Sequence, residues 1–149
     1  AKQLNILLVE MSFPPERIVM DPLTGALGYG LEYTYSVMER IRHDGLVGDK
    51  MLAFPILVDP GYECARVKEA RVPEKDYPSW GDADRRSAYW EIATAMSLLV
   101  AGANLLILYH PQAVEIVKKK IAEIYESEIN ALNELSPCSS VASSPEEAM

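Results

Sequence analysis

The chain has 149 residues, a formal net charge of −8 and 49% hydrophobic residues, enough for one domain with a buried core. The negative charge argues against binding to nucleic acid or to an anionic membrane surface, because both attract basic patches. The longest apolar stretch, near residues 93–108, is interrupted by polar residues, so the sequence predicts no membrane span. Only two cysteines occur, Cys64 and Cys138, which argues against a disulfide scaffold and favours the reducing cytoplasm.

The N-terminal residues indicate the interior of a helix already under way. The chain opens on AKQLNILL, with no Met and no basic-then-apolar signal pattern. We therefore expect the chain to be a piece of a longer protein.

Three short apolar runs predict buried parallel strands, at Arg17–Met20, Pro55–Val58 and Leu105–Tyr109. Their apolar character is continuous and does not alternate, which is typical of strands covered on both faces. Proline cannot donate a hydrogen bond within a sheet, so Pro55 is expected at the first position of its strand.

Helices are predicted between these strands. One apolar face is formed by Leu27, Leu31, Tyr35, Met38 and Ile41, and a second helix, residues 87–101, is apolar almost all round and should be buried, ending at Gly102. A third helix should begin near Pro111, and Cys64–Ala70 should form a short helix.

The alternation of helices and strands predicts an α/β fold with parallel strands. Its spacing is that of a β/α barrel, but a barrel needs eight units and this chain has three. The units either pair with missing segments or form a small open sheet whose edges invite another chain. We assign residues 1–135 to this domain, three β/α units preceded by a helix. The Ser-, Pro- and Glu-rich residues 136–149 should be a disordered tail.

The segment from Asp21 to Gly30 is a candidate binding site. It follows the first predicted strand and enters a helix, and in β/α folds ligands bind at that rim. Its glycines would let the backbone approach a ligand, and the helix start offers free N–H groups. The alternative is a tight turn shaped by glycines, with Asp21 capping the helix. The candidate residues are Asp21, Thr24, Gly25, Leu27, Gly28, Tyr29 and Gly30.

The long connection from Asp59 to Arg86 is a second candidate, because connections of this length are usually functional or disordered. It is either a lid or docking surface, or an excursion packed by its own aromatic side chains Tyr62, Tyr77 and Trp80. The candidate partner-facing residues are Lys68, Glu69, Trp80 and Gly81.

Catalytic and metal-binding patterns are weak. His43 and His110 lie far apart, and His110 could reach a ligand or cap the helix that follows. No Cys/His spacing indicates a metal site, and no Ser-His-Asp set is evident. Glu32 could act as a general base, although a glutamate on a helix surface is usually just solvated.

Longer strings carry a resemblance to a known family. Residues 17–42, RIVMDPLTGALGYGLEYTYSVMERIR, resemble a segment of the small, or delta, subunit of the corrinoid iron–sulfur protein. That protein belongs to the carbon monoxide dehydrogenase/acetyl-CoA synthase system. Further similar strings follow in order and extend the resemblance to residues 4–124: Asp49–Leu52, Pro55-Ile56, Lys68–Ala70, Trp80–Asp82, Trp90–Ile92, Ala101-Gly102 and His110-Pro111.

The resemblance implies that the chain is about the C-terminal half of a TIM-type barrel. It implies a heterodimer with a large (gamma) subunit, a corrinoid at the interface between them, and no metal ligand from this chain. It also implies that the cobalt accepts a methyl group from a methyltetrahydropterin and passes it to the acetyl-CoA synthase centre. The small subunit supports this carrier, helps hold the complex together and performs no catalytic step alone.

A second reading remains open, a barrel enzyme related to pterin-dependent methyltransferases. Asp21 would then bond to a pterin ring at the same rim, with Asp59 and Asn104 as the only obvious further polar candidates. Asn104 lies at the wrong end of its strand, so we favour the corrinoid-facing role.

Overall fold

The computed structural model describes residues 1–134, so the predicted disordered tail, residues 136–149, lies outside the described residues. The helices are α1 (Lys2–Glu10), α2 (Leu31–Leu46), α3 (Pro60–Arg66), α4 (Lys68–Arg71), α5 (Ala83–Val100) and α6 (Pro111–Glu134). The strands are β1 (Leu57–Val58) and β2 (Leu105–Leu106), and short 3-10 turns occupy Pro15–Arg17, Lys50–Leu52 and Pro78–Trp80. The predicted helices at the N-terminus and after Pro111 are confirmed.

The chain divides into two compact units, Ala1–Val117 and Lys118–Met149. The first contains both strands and helices α1 to α5. The described part of the second is the remainder of α6, where the Lys120 ammonium lies 2.7 Å from the Glu123 carboxylate. That pair is half exposed and contributes little to stability.

The strand-like segments are parallel. Leu57 lies opposite Leu105 in the pairing of β1 with β2, and Met20 forms a single parallel bridge to Ile56. The Met20 N–H donates to the Pro55 carbonyl at 2.8 Å, and the Met20 carbonyl accepts the Leu57 N–H at 2.9 Å. The strands are shorter than predicted. The predicted first strand, Arg17–Met20, is wrong at Arg17, because that residue ends a 3-10 turn.

Helices α2 and α5 cover one face of these strands. Ile56 and Val58 are fully buried there against Met38 of α2 and Leu98 of α5. The prediction that Leu27 belongs to the α2 stripe is wrong, because the helix begins at Leu31. The loop before it is held open by left-handed backbone at two glycines, which cannot continue a helix.

Helix α5 was predicted to be buried all round, and that prediction is wrong. Tyr89 and Val100 are exposed, whereas its inward face buries Glu91 and Thr94 together with small apolar side chains. The helix begins after Asp82, whose carboxylate accepts the Arg85 N–H at 2.8 Å. It ends, as predicted, just before Gly102, which has a φ of 102°.

The other face of the strands is open within residues 1–134. Leu105, Ile107 and Val19 point there and are 47%, 39% and 47% exposed. Parallel sheets are normally covered on both faces, so an open apolar face agrees with a further layer of structure packing there. The described residues do not form a barrel by themselves, and the half-barrel stays a prediction. Over the same part of the chain, no helix combines the length and apolarity that crossing a membrane requires.

Truncating the shared core should destabilise the fold sharply. Leu98→Ala removes a fully buried side chain from α5, and we expect it to lower the free energy of unfolding by about 2–5 kcal/mol. Val100→Ala on the same helix is the matched control, because Val100 is 75% exposed, and it should change stability by less than about 0.5 kcal/mol. Urea unfolding followed by circular dichroism measures both, and equal losses would contradict this core.

Candidate functional site

The rim loop, Asp21–Gly30, is shaped by its own polar side chains. The Asp21 carboxylate accepts the Leu23 N–H at 2.8 Å, which closes a local turn, and α2 has no side-chain cap. The proposed alternative that Asp21 caps the helix is therefore wrong. The Thr24 hydroxyl accepts the N–H of Asp59 at 2.9 Å, so it fixes the loop to the end of β1.

Glycine occupies the three rim positions for different structural reasons. A Cβ on Gly25 would lie 2.6 Å from the Gly30 carbonyl carbon, so Gly25 is required by the chain itself. Gly30, with a φ of 98°, starts α2. Gly28 has a φ of 76° and faces open space, with no atom within 4 Å of a Cβ placed there. Of the three, Gly28 is the one that leaves room for a ligand.

The loop that contains Gly28 also carries exposed apolar side chains. Leu23 is 84% exposed, Leu27 43% and Tyr29 50%. Leu23 also holds a left-handed φ of 65°, an uncommon conformation for a residue with a side chain. The rim loop therefore combines exposed apolar side chains with open space at Gly28.

A hydrogen bond joins the rim loop to the long connection. The Tyr29 hydroxyl donates to the Glu69 carboxylate at 2.5 Å, across 40 residues of sequence. This bond lowers the pKa of Glu69 and raises the pKa of Tyr29, because it stabilises the charged carboxylate and the neutral phenol. One residue from each predicted surface thus meets at a single contact.

Helix α5 holds the rim loop from below. The Thr94 hydroxyl accepts the Leu27 N–H at 3.2 Å, and the Trp90 indole N–H donates to the Leu27 carbonyl at 2.9 Å. Both backbone groups of Leu27 are therefore fixed by one helix. The Cys64 thiol also lies 3.3 Å from the Thr94 hydroxyl, and burial raises the pKa of this thiol to about 11, so it stays protonated.

The long connection is clamped by Arg86. Its guanidinium donates to the carbonyls of Glu69 at 2.8 Å, Trp80 at 3.2 Å and Gly81 at 2.9 Å, and also to that of Val72. It lies 5.7 Å from the centre of the Trp80 ring, within the range of a cation–π contact. Of the four predicted partner-facing residues, Arg86 binds the backbone carbonyls of Glu69, Trp80 and Gly81 but not that of Lys68.

A cleft of about 450 Å³ opens between the rim loop and the start of α5. It brings Leu27 of the rim together with Trp80 and Gly81 of the connection. Lys68 and Glu69 do not line it, and Glu69 instead meets Tyr29. The side chains that form the cleft walls are Leu27, Trp80, Asp82, Arg85, Arg86, Tyr89 and Trp90.

His110 serves as a helix cap. Its Nδ1 accepts the Gln112 N–H at 3.2 Å, while its Nε2 lies 3.1 Å from the Asp84 carboxylate. The buried Glu91 carboxylate accepts the N–H groups of Tyr109 and His110, which fixes the backbone directly before α6. Within residues 1–134 no group of three His, Cys, Asp or Glu could hold a metal ion.

Three structuring residues of the site had no predicted role: Arg86, Trp90 and Thr94. Trp90 lies in one of the strings that carry the family resemblance, which is the one signal that the sequence offered for it. Thr94 binds a backbone group 67 residues away, and Arg86 binds carbonyls 5 to 17 residues away that share no spacing, so no local pattern marks them.

Comparison with known protein families shows which family this chain resembles. A family model described as the CO dehydrogenase/acetyl-CoA synthase delta subunit matches residues 1–119. The chain belongs to this delta-subunit family. The match includes the rim loop, the connection and the cleft, and it confirms the resemblance drawn from the sequence.

Individual relatives agree with this assignment. The delta subunit of the acetyl-CoA decarbonylase/synthase complex from Archaeoglobus fulgidus is 43% identical over 123 residues, covering 79% of this chain and 27% of the relative. The Methanosarcina mazei subunit is 40% identical over 121 residues, covering 79% and 28%. The Methanocaldococcus jannaschii subunit is 36% identical over 119 residues, covering 80% and 28%. The chain thus spans less than a third of the length of these relatives.

Tyr29→Phe should return the pKa of Glu69 toward its ordinary value, because the hydroxyl that stabilises the carboxylate is lost. In the unaltered chain the depressed pKa means that this bond stabilises the fold above the unfolded pKa of Glu69. That stabilisation is lost as the pH falls through the lower, folded pKa. An NMR titration of the Glu69 carboxyl carbon measures the shift. Tyr33→Phe, at an exposed tyrosine on the first turn of α2, should leave it unchanged.

Arg86→Lys should loosen the connection, because a lysine ammonium cannot bond to four carbonyls in a fixed fork. We expect amide hydrogen exchange in residues 67–82 to accelerate about tenfold. The control is Arg66→Lys, which alters an exposed arginine 3.4 Å from Glu63 and should not change exchange there. Equal exchange in both variants would show that the clamp does not order the connection.

Proposed function

We propose that the chain is a non-catalytic segment of a corrinoid iron–sulfur methyl carrier. It would act in reversible acetyl-CoA synthesis or cleavage, bound as a heterodimer to the large (gamma) subunit. There it would support methyl transfer from a methyltetrahydropterin to the acetyl-CoA synthase centre and hold the complex together. Support comes from membership of the delta-subunit family and from relatives whose names place them in the acetyl-CoA decarbonylase/synthase complex. We place the chain in the cytoplasm, in keeping with the free thiol of Cys64.

The observation that carries this proposal is the apolar rim loop with open space at Gly28. A corrinoid is a flat, bulky group, and its face suits a surface of exposed Leu and Tyr side chains interrupted by a residue without a side chain. The corrinoid supplies the cobalt that carries the methyl group. Leu23, Leu27 and Tyr29 would exclude water from it, while Asp21 and Thr24 shape the loop that presents them.

The fold proposed for the whole subunit is a β/α barrel of which this chain supplies about half. The parallel pairing of three segments and the open apolar face at Leu105 and Ile107 support it. In a barrel that face would pack against the remaining strands, and the rim loop would lie at the carboxyl end of the strands, where barrels bind ligands.

The pterin-dependent enzyme is not favoured by any specific contact. An Asp59 carboxylate oxygen accepts the Tyr62 N–H at 2.9 Å and so caps α3. The Asn104 amide oxygen accepts the Ile56 N–H at 3.0 Å, and the Asp21 carboxylate accepts the Leu23 N–H. Each candidate thus has a structural hydrogen bond already.

The heterodimer is tested by mixing the chain anaerobically with corrinoid-loaded large subunit, followed by gel filtration with absorbance read at the corrinoid bands. We expect co-elution with corrinoid colour. Gly28→Phe should reduce corrinoid retention or binding of the large subunit about tenfold or more, because the ring fills the gap that the corrinoid face would occupy.

Gly48→Phe is the matched control. Gly48 also has a positive φ, 108°, and open space around its Cβ position, but it lies between α2 and the Lys50–Leu52 turn. Both variants carry the same kind of backbone strain, so only Gly28→Phe should alter retention. Failure of the unaltered chain to co-elute, together with measurable binding of methyltetrahydropterin, would favour the enzyme reading instead.

A further inference from the structure

We propose that the cleft between the rim loop and α5 is an anchor pocket for a partner subunit, and that it receives an apolar or aromatic side chain next to a single carboxylate. This inference rests on the proposed function, since it names the part of the surface where the large subunit is held. The cleft volume of about 450 Å³ is enough for one or two side chains.

The walls of the cleft are fixed before anything binds. The Trp80 ring stacks on Tyr77 with centroids 4.4 Å apart. The Arg86 guanidinium also lies 5.7 Å from the centre of the Trp80 ring. The Trp90 indole is held by its hydrogen bond to the Leu27 carbonyl. Rigid walls favour affinity, because little side-chain freedom remains to be lost on binding.

Arg85 supplies the charge at the edge of the cleft. One of its terminal nitrogens donates to the Tyr89 hydroxyl at 3.2 Å, and the guanidinium lies 5.8 Å from the centre of that ring. Tyr89 thus holds the guanidinium in place. The Asp82 carboxylate also lines the cleft, but it accepts the backbone N–H of Arg85 and, within residues 1–134, no carboxylate is hydrogen-bonded to the guanidinium, so its remaining donors are available for a paired contact with one.

Arg86 lines the same cleft but is not free in this way. Its donors are committed to the carbonyls of the connection. A carboxylate in the cleft would therefore be recognised by Arg85, while Arg86 would keep Trp80 in position. Of the two neighbouring arginines, one is a contact residue and the other is a positioning residue.

The composition of the cleft favours a protein partner. Trp, Tyr and Arg are the residues that dominate binding energy at protein interfaces, especially where they line a pocket. Trp80 and Tyr89 are 43% and 51% exposed, so a partner could remove considerable aromatic surface from water. The cleft also includes Gly81, one of the residues that the sequence predicted to face a partner.

The net charge of the chain and the positive charge of Arg85 restrict which partner group can occupy the cleft. The chain carries a net charge of −8, so an extensively acidic partner surface would be repelled. A single carboxylate beside an apolar or aromatic side chain gains the local attraction of Arg85 without that repulsion. This is the occupant that we assign.

The test measures the dissociation constant between the chain and purified, corrinoid-loaded large subunit under anaerobic conditions. Arg85→Glu should weaken binding about 30-fold, as expected for a central interface residue, and Trp80→Ala should weaken it to a similar extent. Arg85→Lys keeps the charge but loses the paired geometry, so it should weaken binding only about threefold. Glutamate is tolerated in the first turn of α5, so Arg85→Glu should fold normally by circular dichroism.

Arg40→Glu is the control, because it makes the same charge change at an exposed position on α2, and it should alter binding less than about twofold. Binding by the unaltered chain with equal constants for Arg40→Glu and Arg85→Glu would overturn the anchor pocket and leave the proposed function standing. No binding by the unaltered chain would overturn both. If the chain alone dimerises, and Arg85→Glu abolishes only the dimer, the occupant is a second copy of this chain and the partner assignment is wrong.

Discussion

The fully buried hydroxyl of Thr94 lies where the rim loop, α3 and α5 meet. It accepts the Leu27 N–H, donates to the Trp90 carbonyl one turn earlier in its own helix, and contacts the Cys64 thiol. A buried hydroxyl without partners would destabilise the fold, and these contacts supply both an acceptor for its proton and donors to its oxygen. Glu91, one turn away on the same helix side, satisfies backbone N–H groups directly before α6. The position of the rim loop therefore depends on polar groups inside the core.

The two surfaces proposed for function are supported by one helix. The inward side of α5 holds the rim loop through Trp90 and Thr94, and its first turn holds the connection through Arg86. Because one rigid element positions both, the relative placement of a corrinoid at Gly28 and a partner at Trp80 would be set before assembly. Tyr29 and Glu69 add a second, exposed link between the same surfaces.

The sequence predicted which elements exist better than it predicted where they end. The apolar runs correctly located the parallel pairing around Ile56 and β2, and Pro111 correctly marked the start of α6. The start of α2 was placed too early, because the positive φ of Gly28 and Gly30 depends on how the loop packs. The apolar composition of α5 concealed Glu91 and Thr94, whose partners lie 18 and 67 residues away. Long-range hydrogen bonds of that kind leave no periodic signal.

The clamp at Arg86 changes the effective length of the connection between α3 and α5. Its bonds to Glu69 and Val72 close loops of 17 and 14 residues, and the bond to Gly81 closes one of 5. The entropic cost of ordering a loop grows with the number of residues between its fixed ends. Because the clamp fixes Val72 and Trp80, the longest unclamped stretch is only residues 73–79. Extra residues inserted there would lengthen a surface tip and leave Trp80 in place, whereas an insertion between Gly81 and Arg86 would separate the clamp from its carbonyls.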